Sequence, residues 1–408
     1  MFYMQKWIIL VYNSLKEPLF EGNLFYHVIK FQEQFKNKSE IVLITFEQKQ
    51  FEIKSDHKKR IKRELKEKWN INWISFKWYK SYFLKLINFF QSFLVILFLR
   101  FRGYTSIVFL GTTAGTLSII ISKILNLRKF AYQYEPHSEY LRDAGKLNGW
   151  LFRLYQFLEF MIAKNSEVIA TTTTHMYNRL QKHFSFKKIY VIPSVTNDSL
   201  FTIQSSDLKL KKQLGFNEYD RILIYVGKFG DLYCKHEIPL VFSYLNKYDR
   251  RWKLLVVTLQ DIDFVESIFN EVGLQKNTYK IIHNVPYTDM PKYINIASFG
   301  LIILPFVPSK KFCSPIKTGE YLCCGIPYIT CNGISNDDEV SLKYDVGIVL
   351  NEFSEQEIIK NLKKIDELIQ KDREYIRTIG IQYRGSSIVT PKMIEALKQF
   401  LWGSQNSN

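Results

Sequence analysis

The feature that most limits the folds open to this chain is a repeated alternation of short apolar runs with longer amphipathic stretches. In the first half "KWIILVYN", "EIVLITF", "SIVFLG", "KFAYQYE", "EVIATT" and "KIYVIPS" read as strands. Between them "NLFYHVIKFQEQF", "LSIIISKIL" and "WLFRLYQFLEFMIAKN" read as helices, and "GTTAGT" as a tight strand-to-helix turn. Strands that are apolar throughout are covered on both faces, which is the signature of a parallel sheet flanked by helices. A polar segment, "TNDSLFTIQSSDLKLKKQLGFNEYD", interrupts the pattern. It restarts with "RILIYVG", "RWKLLVVT", "YKIIHNV", "FGLIILPF", "IPYITC" and "VGIVL". The predicted class is α/β, with two tandem doubly wound domains, and 408 residues suffice for two cores of roughly 200 each.

Charge divides the halves. Residues 1–195 carry 30 Lys and Arg against 14 Asp and Glu, whereas the remainder carries 26 against 25. A basic half beside a neutral one points to a polyanionic surface for the first, nucleic acid or anionic lipid, and to small-molecule work for the second. The densest block, "KSDHKKRIKRELKEKWNINWISFKWYK" from Lys54 to Lys80, is either a membrane-surface patch or a solvated helix followed by an ordinary strand. The apolar stretch Phe83–Arg102 is broken by Lys85, Asn88, Gln91 and Ser92, so a buried or interfacial helix is expected rather than a span. "MFYMQKWIILVYNS" lacks a signal-peptide pattern, and a cytoplasmic chain is expected. Five cysteines without C-x-x-C spacing read as small core residues, not as zinc ligands or disulfides.

In doubly wound sheets ligands bind beyond the carboxyl ends of the strands. After "ILIYVG" comes "GKFGDLYCK", where Gly227 and Gly230 would let a phosphate approach the backbone and Lys228, with Lys235, would supply charge. After "LIILPF" comes "KKFCSPIKTGEYLCCGIPYITC". There Ser314 reads as an N-cap, Pro315 as the first helical residue, and the amides of Ile316 and Lys317 as an anion site. Glu320 would stand about one and a half turns in, either answering the helix dipole or accepting hydroxyls of a group attached to the anion. "NDDE", Asn336–Glu339, reads as a solvated turn, and no metal-binding D-x-D follows a strand.

"SPIKTGEYLCCGIPYI" resembles the P-x-K-x-x-E-Y-x-x-x-G-x-P element of retaining GT-B glycosyltransferases of the family 4 type, the glycosyl transferases group 1. "VYNSLKEPLFEGNLFYHVIKF", "YEPHSEYLRDAG", "VIPSVTNDSLF", "YVGKFGDLY" and "VPYTDMPKYINIASFGLIIL" are similar to further family segments and follow in the family's order over most of the chain. The resemblance implies two Rossmann-like domains. Residues 1–198 would bind the acceptor and 199–388 the nucleotide-sugar donor, while 389–408 would form a helix returning to the first domain.

It implies Glu320 as the ribose-binding second acid of E-x7-E, with Phe312 standing where the first acid belongs. Lys228, with Lys235 or Lys317, would face the diphosphate. His137, with Glu135, would face the reacting sugar, and Asn13, Gly22, Asn23, Glu139 and Arg142 would face the acceptor. The implied activity is transfer of a sugar from a nucleotide diphosphate to a glycan or polyprenyl-diphosphate-linked glycan, with retention and without metal or cofactor. Bacterial surface polysaccharide assembly at the inner face of an anionic membrane, with no role for nucleic acid, completes that expectation. Two rivals remain at this level: a non-catalytic sugar-nucleotide or glycan binder, permitted by Phe312, and a nucleic-acid binder, suggested by the basic half.

Overall fold

The computed structural model describes residues 4–18, 20–133, 136–185 and 187–403. Contacts divide the chain into two compact units, Met1–Pro193 with Thr390–Asn408, and Ser194–Val389. The first holds seven strands: β1 (Gln5–Val11), β2 (Ser39–Glu47), β3 (Ile71–Lys77), β4 (Ser106–Leu110), β5 (Arg128–Gln133), β6 (Val168–Thr171) and β7 (Lys188–Val191). Their order is β3-β2-β1-β4-β5-β6-β7 and every pairing is parallel. The second unit holds β8 (Arg221–Val226), β9 (Trp252–Thr258), β10 (Tyr279–His283), β11 (Phe299–Ile302), β12 (Tyr328–Cys331) and β13 (Gly347–Leu350). Their order is β10-β9-β8-β11-β12-β13, again parallel throughout. Central runs such as Trp7–Leu10 and Leu254–Val256 have no exposed surface, because helices cover both faces of each sheet.

Right-handed crossovers fix which helix covers which face. From β1 to β3 the first sheet is built outward in one direction, so Tyr26–Phe35 and Ser55–Trp69 share a face. From β3 onward the chain moves the other way, and Tyr82–Phe101, Gly111–Leu125 and Gly149–Asn165 cover the opposite face. The basic helix and the apolar Phe83–Arg102 stretch, neighbours in sequence, therefore lie on different faces of the sheet. Trp73 in the basic block is also no surface residue: it is buried and its indole donates to Thr45 at 2.8 Å.

Residues 194–198 belong with the second unit, five residues earlier than the expected boundary. The reason is backbone pairing: the Thr196 amide donates to the Arg384 carbonyl at 2.9 Å, and the Thr196 carbonyl accepts from Ser386 at 2.8 Å. The final helix, Ser386–Trp402, packs with the first unit from Thr390 onward. Phe400 meets Phe130 edge to face at 5.5 Å, Trp402 stacks on Phe31 at 5.9 Å, and Arg128 donates to the Phe400 carbonyl. "GTTAGT" is not a separate turn, since the helix begins at Gly111, whose φ of +74° carries the chain directly out of β4. Four of the cysteines, Cys234, Cys323, Cys324 and Cys331, are buried and unbridged.

Candidate functional site

In the second unit the sheet reverses direction between β8 and β11. Loops leaving their carboxyl ends diverge there, which opens the crevice in which doubly wound sheets hold ligands. Register places the two loops side by side, with Gly300 opposite Ile224 and Leu301 opposite Tyr225. The β8 loop, Gly227–Lys235, is shaped by its own hydrogen bonds. Tyr225 donates its hydroxyl to the Lys228 carbonyl, Gln260 brackets Phe229 by accepting from its amide at 2.6 Å and donating to its carbonyl at 3.1 Å, and Gly230 turns with φ +86°. The Lys228 side chain projects into solvent from this fixed turn. Lys235 is placed otherwise than expected: its ammonium leans 3.9 Å from Glu271, and its amide donates to Glu237.

The β11 loop leads to the helix Ile316–Cys323. Ser314 is not its cap. Its hydroxyl accepts from the Ser194 amide at 3.0 Å and from the Arg384 guanidinium, leaving Pro315 at the cap position without a side-chain bond. The first-turn amides of Ile316 and Lys317 therefore have neither an intrahelical nor a side-chain partner. The helix is seated by Tyr321, whose ring lies against Gly300 so closely that a Cβ there would stand 2.1 Å from it. That contact sets the rotation of the helix and hence the direction of Glu320.

Glu320 is completely buried. One carboxylate oxygen, Oε2, accepts from Lys317 at 2.6 Å, and the other, Oε1, has no partner. An unsatisfied buried acceptor costs about 1–3 kcal/mol, and Oε1 is such an atom at the switch point of the sheet. Phe312, where the family pattern has an acid, is buried and offers no polar atom.

Sequence reasoning missed two basic residues here. Lys310 is buried with its ammonium 5.8 Å from the Tyr233 ring centre, bringing a cation to the β8 loop from the β11 loop. Arg384 is buried and pairs with buried Asp337 at 2.8 Å, which corrects the reading of "NDDE" as a solvated turn. Asp337 also accepts from Thr318 at 2.6 Å and Tyr383 at 2.8 Å, so this network braces the Ile316–Cys323 helix from behind. The position of Lys310 directly after β11 was the available signal; nothing local marked Arg384.

In the first unit the reversal falls between β1 and β4. Asn13 follows β1 and donates to Glu17 at 3.3 Å, and Glu17 also accepts from the Phe20 amide at 2.9 Å. Gly22 and Asn23 lie in a π-helical turn, Phe20–Phe25, with open space beside Gly22 and Asn23 buried. A second group follows β5. His137 opens the helix His137–Asp143 and packs near Tyr140 and Tyr155 at 6.3 and 6.0 Å. Burial, then the charge of Lys85, lowers its pKa and keeps the imidazole neutral. Glu139 pairs with Arg179, and Arg142 pairs with Asp143 at 3.0 Å over the Phe152 ring. Glu135 lies outside the described residues.

Two Rossmann-like units in tandem, each with candidate residues at the reversal of its sheet, place the chain in the GT-B class of fold. No protein-family model matches the chain, and no curated protein matches its sequence. Solved structures do match in fold. A glycosyltransferase from Rickettsia africae has a TM-score of 0.68 at 15% identity, covering 99% of this chain and 100% of that one. The Anabaena protein HepE, solved with UDP-glucose, has a TM-score of 0.68 at 14% identity over 96% and 99%. Sucrose-phosphate synthase from Thermosynechococcus elongatus has a TM-score of 0.66 at 14% identity over 98% and 96%.

Proposed function

We infer that this chain is a glycosyltransferase that takes a sugar from a nucleotide diphosphate, a UDP-sugar in the first instance, and passes it to an acceptor hydroxyl with retention of configuration. The observation that carries this reading is the partnerless Oε1 of Glu320 beside uncapped amides at the switch point of the second unit. Hydroxyls of a ribose complete the carboxylate, and the diphosphate meets the amides of Ile316 and Lys317 together with Lys228. As the anomeric C–O bond breaks, its electron pair goes to the diphosphate oxygen, the acceptor oxygen bonds the anomeric carbon from the same face, and the acceptor's proton passes to the departing diphosphate. Fixed positive groups around the diphosphate oxygen stabilise the growing charge without a metal. Neutral His137 can hydrogen-bond a sugar hydroxyl without repelling positive charge that develops at the anomeric carbon. The acceptor on this reading is a glycan or a lipid-linked glycan of surface polysaccharide assembly, supported by the family resemblance and the basic first unit.

The buried Phe312 favours one second reading, binding of a nucleotide sugar without transfer. Titration calorimetry with UDP and UDP-glucose, followed by mass spectrometry of sugar release, separates the two. Saturable binding that weakens in Glu320→Gln, with turnover, is expected. Binding without any sugar release would leave the second reading, and failure of every nucleotide sugar to bind would overturn both.

A further inference from the structure

The helix Tyr82–Phe101 turns a row of large apolar side chains to solvent, against the pattern of a surface helix in a water-soluble domain. Its inward side carries Asn88 and Ser92, both fully buried, with Asn88 accepting from Tyr12 at 2.8 Å and donating to the Lys77 carbonyl at 3.0 Å. Its outward side carries Phe83, Ile87, Phe90, Leu94, Phe98 and Phe101, spaced three or four residues apart and all exposed. By length and composition Phe83–Phe101 could cross a membrane. Its hydrogen bonds to β1 and β3 surroundings instead hold it along the sheet, so the apolar side is presented outward rather than threaded through.

The next two helices on that face continue the pattern. Arg100 donates to the Leu125 carbonyl at 2.9 Å, joining the first helix to Gly111–Leu125, which exposes Ile120 and Ile124. Gly115 lies so close to Ile162 that a Cβ would stand 2.7 Å away, joining that helix to Gly149–Asn165, which exposes Trp150, Leu154 and Phe157. The exposed charges on the three helices and at their ends include the cations Arg102, Lys123, Arg153 and Lys164 and one carboxylate, Glu167, which is paired with Lys129 at 3.2 Å. The one carboxylate within the helices themselves, Glu159, is buried and accepts from Ser138 at 2.7 and 2.8 Å.

We propose that this three-helix face of the first unit seats on an anionic lipid bilayer, its aromatic and aliphatic side chains entering the headgroup boundary and its cations meeting lipid phosphates. Charge selects this occupant. A second copy of the same face would bring cations against cations, whereas a bilayer rich in anionic headgroups complements both the apolar surface and the rim. The assignment uses no residue of the second unit, so it stands or falls apart from the sugar-transfer reading.

The test is vesicle flotation of the full chain with phosphatidylcholine vesicles, alone or containing phosphatidylglycerol. Binding to the anionic vesicles, falling as salt rises, is expected. The triple variant Leu94→Gln, Phe98→Gln, Phe157→Gln changes positions that are 63%, 53% and 57% exposed and should melt as the parent does. It should bind at least about tenfold more weakly. Neutralising Lys58, Lys59 and Lys62, on the opposite face of the sheet, should cost less than the triple variant does. No binding at low salt, unchanged binding by the triple variant, or loss confined to the Lys58 group would overturn the assignment. So would self-association in sedimentation velocity that the triple variant abolishes while vesicles go unbound.

Discussion

One substitution separates the structural part of Glu320 from the binding role proposed for it. The carboxylate's charge is compensated by Lys317, while Oε1 has no partner and on the proposed function accepts from the ribose. Glu320→Gln keeps the volume and removes the charge, so the melting temperature should hold while UDP-sugar affinity falls by roughly tenfold or more, the worth of a charge-assisted hydrogen bond. Unchanged affinity in calorimetry would remove Glu320 from the site. Glu159 is a pH-sensitive group on the same terms. Burial pushes its carboxyl from 4.5 to about 7, against hydrogen bonds from Ser138 that favour the anion. A folded pKa raised above the unfolded one means the folded state holds the proton more tightly. Its stabilising contribution is therefore full below about pH 4.5 and is lost as pH rises through about 7, on the order of 3 kcal/mol in all. Melting temperatures of Glu159→Gln across that range should decline less with pH than those of the parent; parallel curves would refute the assignment.

Single elements are positioned by a few close approaches. Tyr321 seats the Ile316–Cys323 helix against Gly300, and Gly319 of the same helix leaves a Cβ only 2.2 Å from Thr196 and 2.6 Å from Arg384. Gly300→Ala must displace the ring or the helix, costing about 1–3 kcal/mol as an overpacked core does, and it should weaken nucleotide-sugar binding at the same time because Glu320 turns with the helix. Gly22→Ala is the contrasting case, with nothing within 4 Å of the new Cβ, and should leave the thermal transition in place. A Gly300→Ala protein with normal affinity would show that Tyr321 does not aim Glu320. The Tyr82–Phe101 helix was expected from its composition to be buried or interfacial; one side, with Asn88, Ser92, Ile96 and Leu99, is buried, and the other leaves its large apolar side chains exposed. The four polar residues that interrupt its apolar run in the sequence are not spread around it: Asn88 and Ser92 are the ones that face the sheet.

Across the whole molecule, the last helix ties the C-terminal end of the chain into the first unit. Met393, Leu397, Phe400 and Trp402 are buried there, and His27 meets Thr390 at 3.2 Å with its pKa lowered to about 3 by burial. Deleting residues from Thr390 onward should destabilise the first unit by at least the roughly 3–5 kcal/mol that one buried aromatic contributes. Limited proteolysis should then cut within residues 1–193 first. A fragment of those residues that resists protease as the full chain does would show that the helix is dispensable.

The two doubly wound sheets were legible because a strand covered on both faces must be apolar along its length, and such runs are visible without any partner. That a helix starts just after Ser314-Pro315 was legible because helix termini are built from neighbours in sequence, but that Ser314 bonds Ser194 and Arg384 instead of capping it was not. Arg384 against Asp337, Lys310 beneath Tyr233, and the outward turn of the apolar side of Tyr82–Phe101 were not legible. Each depends on residues far apart in the chain meeting once the sheets have formed. A periodic pattern records that a helix has two sides, but which side meets the sheet is settled by the hydrogen bonds that Asn88 finds there.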